Sequence, residues 1–238
     1  MRLPRGPVAR GLTAIAIAVP GLAGCGAVST AQPGGPGQLI SDLAGRMARA
    51  ETLTYTAQYR LPQAATATLS QAQEPGRAAY VYPGGKLALT PQSLADCRTD
   101  GTGTTCTLTP PPSPGTDPAT ALLAEIADRD AVPPGGTVSP GIVTALLAAA
   151  AADAQAVVTT RDTTVAGENA TCVDVHGAQH AAAPDFEVCV TTGGLLGSFT
   201  GTVGGTSVDI SLVGYRTTVA PDAFDLPPGA RVVDKRPR

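Results

Sequence analysis

The feature that most constrains this chain is a two-residue alternation of apolar and polar side chains, repeated in short runs from residue 53 onward. Leu53, Tyr55, Ala57, Tyr59 and Leu61 alternate with Thr54, Thr56, Gln58 and Arg60. Successive side chains of a strand point to opposite faces, so this run predicts a strand with one buried face. Ala65, Ala67 and Leu69 alternate with threonine and serine in a second run. Runs at 78–82 and 86–90 flank Pro83-Gly84-Gly85, and runs at 93–97 and 104–109 flank Gly101-Thr102-Gly103. Both arrangements are hairpin signals. The pattern resumes at 155–165, 170–176, 186–192, 195–203 and 206–213, the last two split by Gly204-Gly205. In the final run Val208, Ile210 and Leu212 share one face, and Ser207, Asp209 and Ser211 the other.

Three segments carry the longer helical period. Across 38–51, Leu39, Ile40, Leu43, Met47 and Ala50 fall on one helix face, with Arg46 and Arg49 towards the end where cations suit the helix dipole. After a proline-rich break at 110–114, Asp117-Pro118 and Ser139-Pro140 each place a capping residue before a first-turn proline, a helix start. Leu122, Leu123, Ile126 and Ala127 form the apolar side of the first of these helices. The second, 141–153, is nearly all Ala, Leu, Ile and Val, which predicts a buried helix. Chain order is therefore helix, strands, helices, strands: α+β, with one extensive antiparallel sheet and the mid-chain helices across it.

The start of the chain points to export. Arg2, Arg5 and Arg10 precede a small-residue apolar run, 11–24, which ends in Leu22-Ala23-Gly24-Cys25. A positive segment, an apolar segment and a small-residue processing site make a secretory signal. The run is shorter than the roughly 20 residues that span a bilayer. Leu-Ala-Gly-Cys resembles the lipobox of bacterial lipoproteins, which implies lipid on Cys25 and anchoring to the outer face of the cell membrane. The expected division is signal 1–24, lipidated cysteine and flexible Gly/Pro tether 25–37, and one folded domain 38–238. Four further cysteines, an even number in an exported chain, predict two disulfides. Sequence proximity favours Cys97–Cys106 and Cys172–Cys189.

Chemistry-bearing patterns are few. A net charge of −3 without a basic cluster argues against nucleic acid. Ser198 lacks the flanking glycines of a nucleophile elbow. His176 and His180, the two histidines, bracket Gly177 between predicted strands and read as a solvated loop, so neither a catalytic triad nor a metal site is expected. No cofactor is implied. The expectation is a non-enzyme that binds something.

A set of features taken together resembles a known family: the first helix leading into Leu53-Thr54-Tyr55-Thr56, Ala166-Gly167 before the strand with Cys172, Gly193-Gly194-Leu195-Leu196, and the ending Phe224-Asp225-Leu226-Pro227-Pro228-Gly229-Ala230. They are similar to actinobacterial envelope lipoproteins of the LppX/LprG type, within the LolA/LolB-like lipoprotein-carrier superfamily. The resemblance implies a strongly curved antiparallel half-barrel over the N-terminal helix and two mid-chain helices. It also implies an apolar cavity for a lipid or acylated ligand, bound or transferred without covalent chemistry. Tyr55, Leu122, Ile126, Leu146, Leu147, Val208 and Ile210 would line that cavity. The alternative is an envelope adaptor or sensor with a solid core that binds a protein partner. Either would be a membrane-anchored monomer.

Overall fold

In the computed structural model, residues 36–112, 122 and 138–237 are described. The first helix, α1 (Pro36–Ala50), buries Ile40, Leu43, Met47 and Ala50, the predicted apolar stripe. Asp42 and Arg46, one turn apart, form an ion pair at 2.6 Å, and Arg46 also donates to the Thr171 hydroxyl at 3.4 Å. Helix-surface pairs one turn apart contribute only tenths of a kcal/mol, so the buried stripe holds α1 in place.

Six strands follow: β1 (Tyr55–Arg60), β2 (Thr66–Gln73), β3 (Gly76–Tyr82), β4 (Gly85–Thr90), β5 (Ser93–Asp100) and β6 (Gly103–Thr109). Each pairs antiparallel with the next. The Asp117-Pro118 helix start and Ile126 lie outside the described residues. The second helix, α2 (Pro140–Ala152), begins where expected: the Ser139 hydroxyl accepts the Ile142 N–H at 3.2 Å. Removing this cap with Ser139→Ala is expected to cost about 1 kcal/mol, read as a lower denaturant midpoint at unchanged slope. Val143, Leu146, Leu147 and Ala150 of α2 are buried, and α2 packs against α1.

A second meander comprises β7 (Val157–Val165), β8 (Glu168–His176), β9 (Phe186–Thr191), β10 (Leu196–Val203) and β11 (Thr206–Arg216). The chain ends in β12 (Arg231–Asp234), which has no counterpart in the sequence-based expectation. The order across the sheet is β12-β6-β5-β4-β3-β2-β1-β11-β10-β9-β8-β7. Two meanders thus lie side by side, joined where β1 pairs antiparallel with β11. The class is α+β as expected, but the half-barrel is not. The sheet is open and not strongly curled, with β12 and β7 at its two edges. Because the first and last long strands meet at the centre, the meanders extend the sheet outward in opposite directions.

Both predicted disulfides form. Cys97–Cys106 joins directly opposed residues of β5 and β6, and Cys172–Cys189 does the same for β8 and β9. All described residues belong to one unit, Gly34–Arg238.

The two faces of the sheet differ. One carries Tyr55, Tyr80, Leu94, Val188, Phe199 and Ile210 into the main core beneath the helices. The other, on β3, β4 and β5, carries a row of cross-strand neighbours, Ala79, Ala88 and Ala95. Small side chains let a further segment lie close. Residues 217–230 form that segment, a strap whose Phe224 is buried against the alanines and the Cys97–Cys106 disulfide. The Arg77 guanidinium lies over the Phe224 ring, 4.5 Å from its centroid, and Lys86 Nζ donates to the Asp225 carbonyl at 2.5 Å. Beyond the strap, β12 pairs parallel with β6, and Lys235 N–H donates to the Leu108 carbonyl.

Candidate functional site

The side chains expected to line an acyl cavity do come together. Tyr55, Leu122, Leu146, Leu147, Val208 and Ile210 are all buried in one cluster between helices and sheet. They meet as packed core, however, and an open sheet does not enclose the expected carrier pocket. The acyl-cavity reading, and with it lipid binding and transport, is corrected on that ground. Cys25 lies outside the described residues.

Concave space is found instead on the strap side. Two cross-strand rows run over this face. One passes from Gly214 through Gln58, Thr68 and Val81 to Lys86. The next passes from Arg216 through Thr56 and Ser70 to Ala79. The second row changes from polar to apolar between β2 and β3, and the first meets one apolar residue, Val81, before Lys86. Over the alanines the strap packs closely, and over the polar stretch it leaves a cleft of about 490 Å³. Thr56, Gln58, Thr68, Ser70, Lys86 and Arg216 line it from the sheet, and Thr218, Val219, Ala220, Asp222 and Ala223 from the strap. A second cleft of about 510 Å³, lined by Gln73, Glu74, Arg77 and Phe224 among others, opens along another stretch of the strap.

The first cleft is rich in donors. Ser70 is only 5% exposed, and its hydroxyl has no hydrogen-bond partner among the described residues. The hydroxyl is not one of the fully buried polar atoms left without a partner, so it opens onto the cleft, where an incoming group can meet it. Thr56 donates its hydroxyl proton to the Thr218 carbonyl at 2.9 Å, tying strap to sheet. Arg216 is exposed and makes no ion pair among the described residues. Burial holds the Lys86 ammonium below the usual lysine value, against the opposing pull of Asp225 and Asp222. The one carboxylate among the lining residues is Asp222.

These residues escaped the sequence reading because they are the polar halves of strand alternations, which read as solvent-facing. The local part of the signal is that Thr56, Gln58, Thr68 and Ser70 share one face of two adjacent strands; the strap that makes a cleft of them comes from far later in the chain. Truncating the strap's anchor, Phe224→Ala, is expected to cost about 3 kcal/mol and to speed amide exchange over 217–234 ahead of the rest of the sheet.

Other candidate clusters are accounted for. Cys172, Glu187 and Cys189 lie close enough for a metal, but both sulfurs are held in the disulfide. His176 ends β8 and contacts Asp174 at 3.2 Å and Asp185 at 3.4 Å, while His180 contacts Asp153 at 3.2 Å. The histidines are exposed, and each turns to its own acids. The Asp153 carboxyl is held below the ordinary aspartate value, chiefly by the Gln155 N–H and then by His180.

No family model matches the chain, and no curated protein matches it. Among solved structures it is similar to an uncharacterized conserved protein from Thermus thermophilus, at 9% identity and a TM-score of 0.48, over 83% of this chain and 100% of that one. It is also similar to MucB, at 16% identity and a TM-score of 0.43, over 82% of this chain and 66% of that one. Likenesses this distant assign neither family nor function. The expected kinship with LppX/LprG and LolA/LolB-like carriers therefore has no support and is set aside. The ending quoted for that resemblance, Phe224 to Ala230, forms part of the strap.

Proposed function

We propose that this protein is a non-enzymatic binding module that works outside the cytoplasm and engages its ligand or partner on the strap side of its sheet. The observation that carries the proposal is the contrast between the two faces. Among the described residues the helix side is buried core, whereas the strap side holds clefts of about 490 and 510 Å³ with polar side chains converging on them. Binding sites are concave and carry a few placed polar groups. Export is supported by the order of segments before Cys25 and by the two disulfides, which persist in oxidising compartments. Tethering through Cys25 belongs to the same proposal. The non-enzymatic part rests on exposed histidines that face only acids and on cysteines 97, 106, 172 and 189 held as disulfides.

Amide hydrogen exchange on the full chain, run against a panel of envelope-derived small molecules and peptides, tests the reading. Protection confined to 56–58, 66–73 and 217–226 is the expected result. Protection centred on α1 and α2, or turnover of any compound, would overturn it.

A further inference from the structure

From the donor set of the first cleft we infer its ligand class: a small hydroxylated organic anion, a sugar acid or sugar phosphate. This rests on the strap side being the binding face and adds the chemistry that the face selects.

Three observations lead there. The first is the balance of groups. Lys86 and Arg216 supply two cations, Gln58 an amide, and Thr68 and Ser70 hydroxyls, with the Thr56 proton already given to Thr218, against the single carboxylate of Asp222. Such a lining suits a ligand dense in acceptors and bearing negative charge, because hydrogen bonds to charged groups are the stronger ones. The second is Ser70. The residue is nineteen-twentieths buried and lines the cleft, and its hydroxyl makes none of the hydrogen bonds seen among the described residues. A ligand oxygen there would take that bond. The third is placement. Lys86 and Gln58 lie on one cross-strand row, and Arg216, Thr56 and Ser70 on the next. The strands thus fix the positions of the donors before anything binds, which lowers the ordering cost of binding.

The shape narrows the class. A volume of about 490 Å³ falls in the range of small-molecule sites. Val81, Val219 and Ala223 offer aliphatic patches for the carbon skeleton of a sugar ring. None of the lining residues is aromatic, so a flat apolar ligand would find no stacking partner there. A polyol carrying one anionic group uses both the hydroxyl-lined floor and the cations.

The test uses the full chain, with titrations of glucuronate, glucose 1-phosphate and neutral glucose followed by calorimetry and by backbone amide shifts. Binding by at least one anion is expected, with shifts confined to 56–58, 68–70, 86 and 216–223. Arg216→Ala and Lys86→Met should each weaken it about tenfold, and glucose should bind at least as weakly as the anion does to those variants. Arg216 is exposed, so its variant is expected to fold and report on the charge alone. A preference for glucuronate assigns the carboxylate arm, and a preference for glucose 1-phosphate the phosphate arm. The inference is overturned if neither anion binds, if glucose binds as tightly, or if the shifts fall elsewhere. If the anions fail while another compound protects 217–226 from exchange, the ligand class is wrong but the binding face stands.

Discussion

Gly194→Ala is expected to destabilise the protein by about 4 kcal/mol or more, a loss at the extreme of single substitutions. Gly194 sits in the β9–β10 turn with φ +88°, in the left-handed region. An added Cβ there would overlap the carbonyl oxygen of Arg46 and lie 2.6 Å from its carbonyl carbon, with Ala50 Cβ at 3.2 Å. These are mostly backbone atoms of α1, so a rotamer change cannot relieve the clash. Either the turn or the helix has to move, and moving the helix disturbs the seats of Met47 and Ala50 in the core. Gly205→Ala is the matched control. Its φ is +82°, but nothing lies within 4 Å of the added carbon, so only the left-handed backbone penalty of about 1–2 kcal/mol should appear. Chemical denaturation of the two variants side by side separates steric exclusion from backbone strain. Equal losses would show that α1 is not held against that turn.

Removing both disulfides is expected to have an effect at least as large. Each closes a short loop, with separations of 9 and 17 residues, and loop-closure entropy makes each worth about 2.5–3 kcal/mol. They brace different meanders, so their effects should add to about 5–6 kcal/mol. That sum is comparable to the whole stability of many domains. Replacing Cys97, Cys106, Cys172 and Cys189 together by alanine is therefore expected to leave the chain largely unfolded at 37 °C, while either pair alone leaves it folded. Unfolding midpoints with and without reductant check this, since reduction of the natural protein should reproduce the fourfold variant. The first bridge has a second role to lose. It packs beneath the strap, so breaking it should also loosen 217–230.

Most strands were readable because alternation and turn residues are local signals. The runs ending at Tyr82 and Val203 end where the observed strands do. What could not be read was the wiring. Pairing β1 with β11 leaves no local trace, because either strand would alternate in the same way beside another neighbour. The curled sheet around a cavity was what the family resemblance implied, and an open sheet was found. The site was hidden for a related reason. Ser70 and Ala72, two residues apart, share a face, yet one helps line a donor-rich cleft and the other packs towards the strap's apolar cluster. That difference comes from a segment far later in the chain, 217–230, which reads by composition as a tail.

The central seam also bears on how such a chain is made. Arg60 and Ser211, which hydrogen-bond across it, are 151 residues apart. Each meander can zip up from its own hairpins, but their union waits for β11, and the strap and β12 come later still. Closing so long a loop adds little to the equilibrium cost, since that cost grows only logarithmically with length, yet non-local pairings of this kind slow folding. A polypeptide wired this way stays threadable until its synthesis is nearly over. A chain cut before residue 206 would have no partner for the exposed side of β1, and proofreading proteases would find that bare strand edge first.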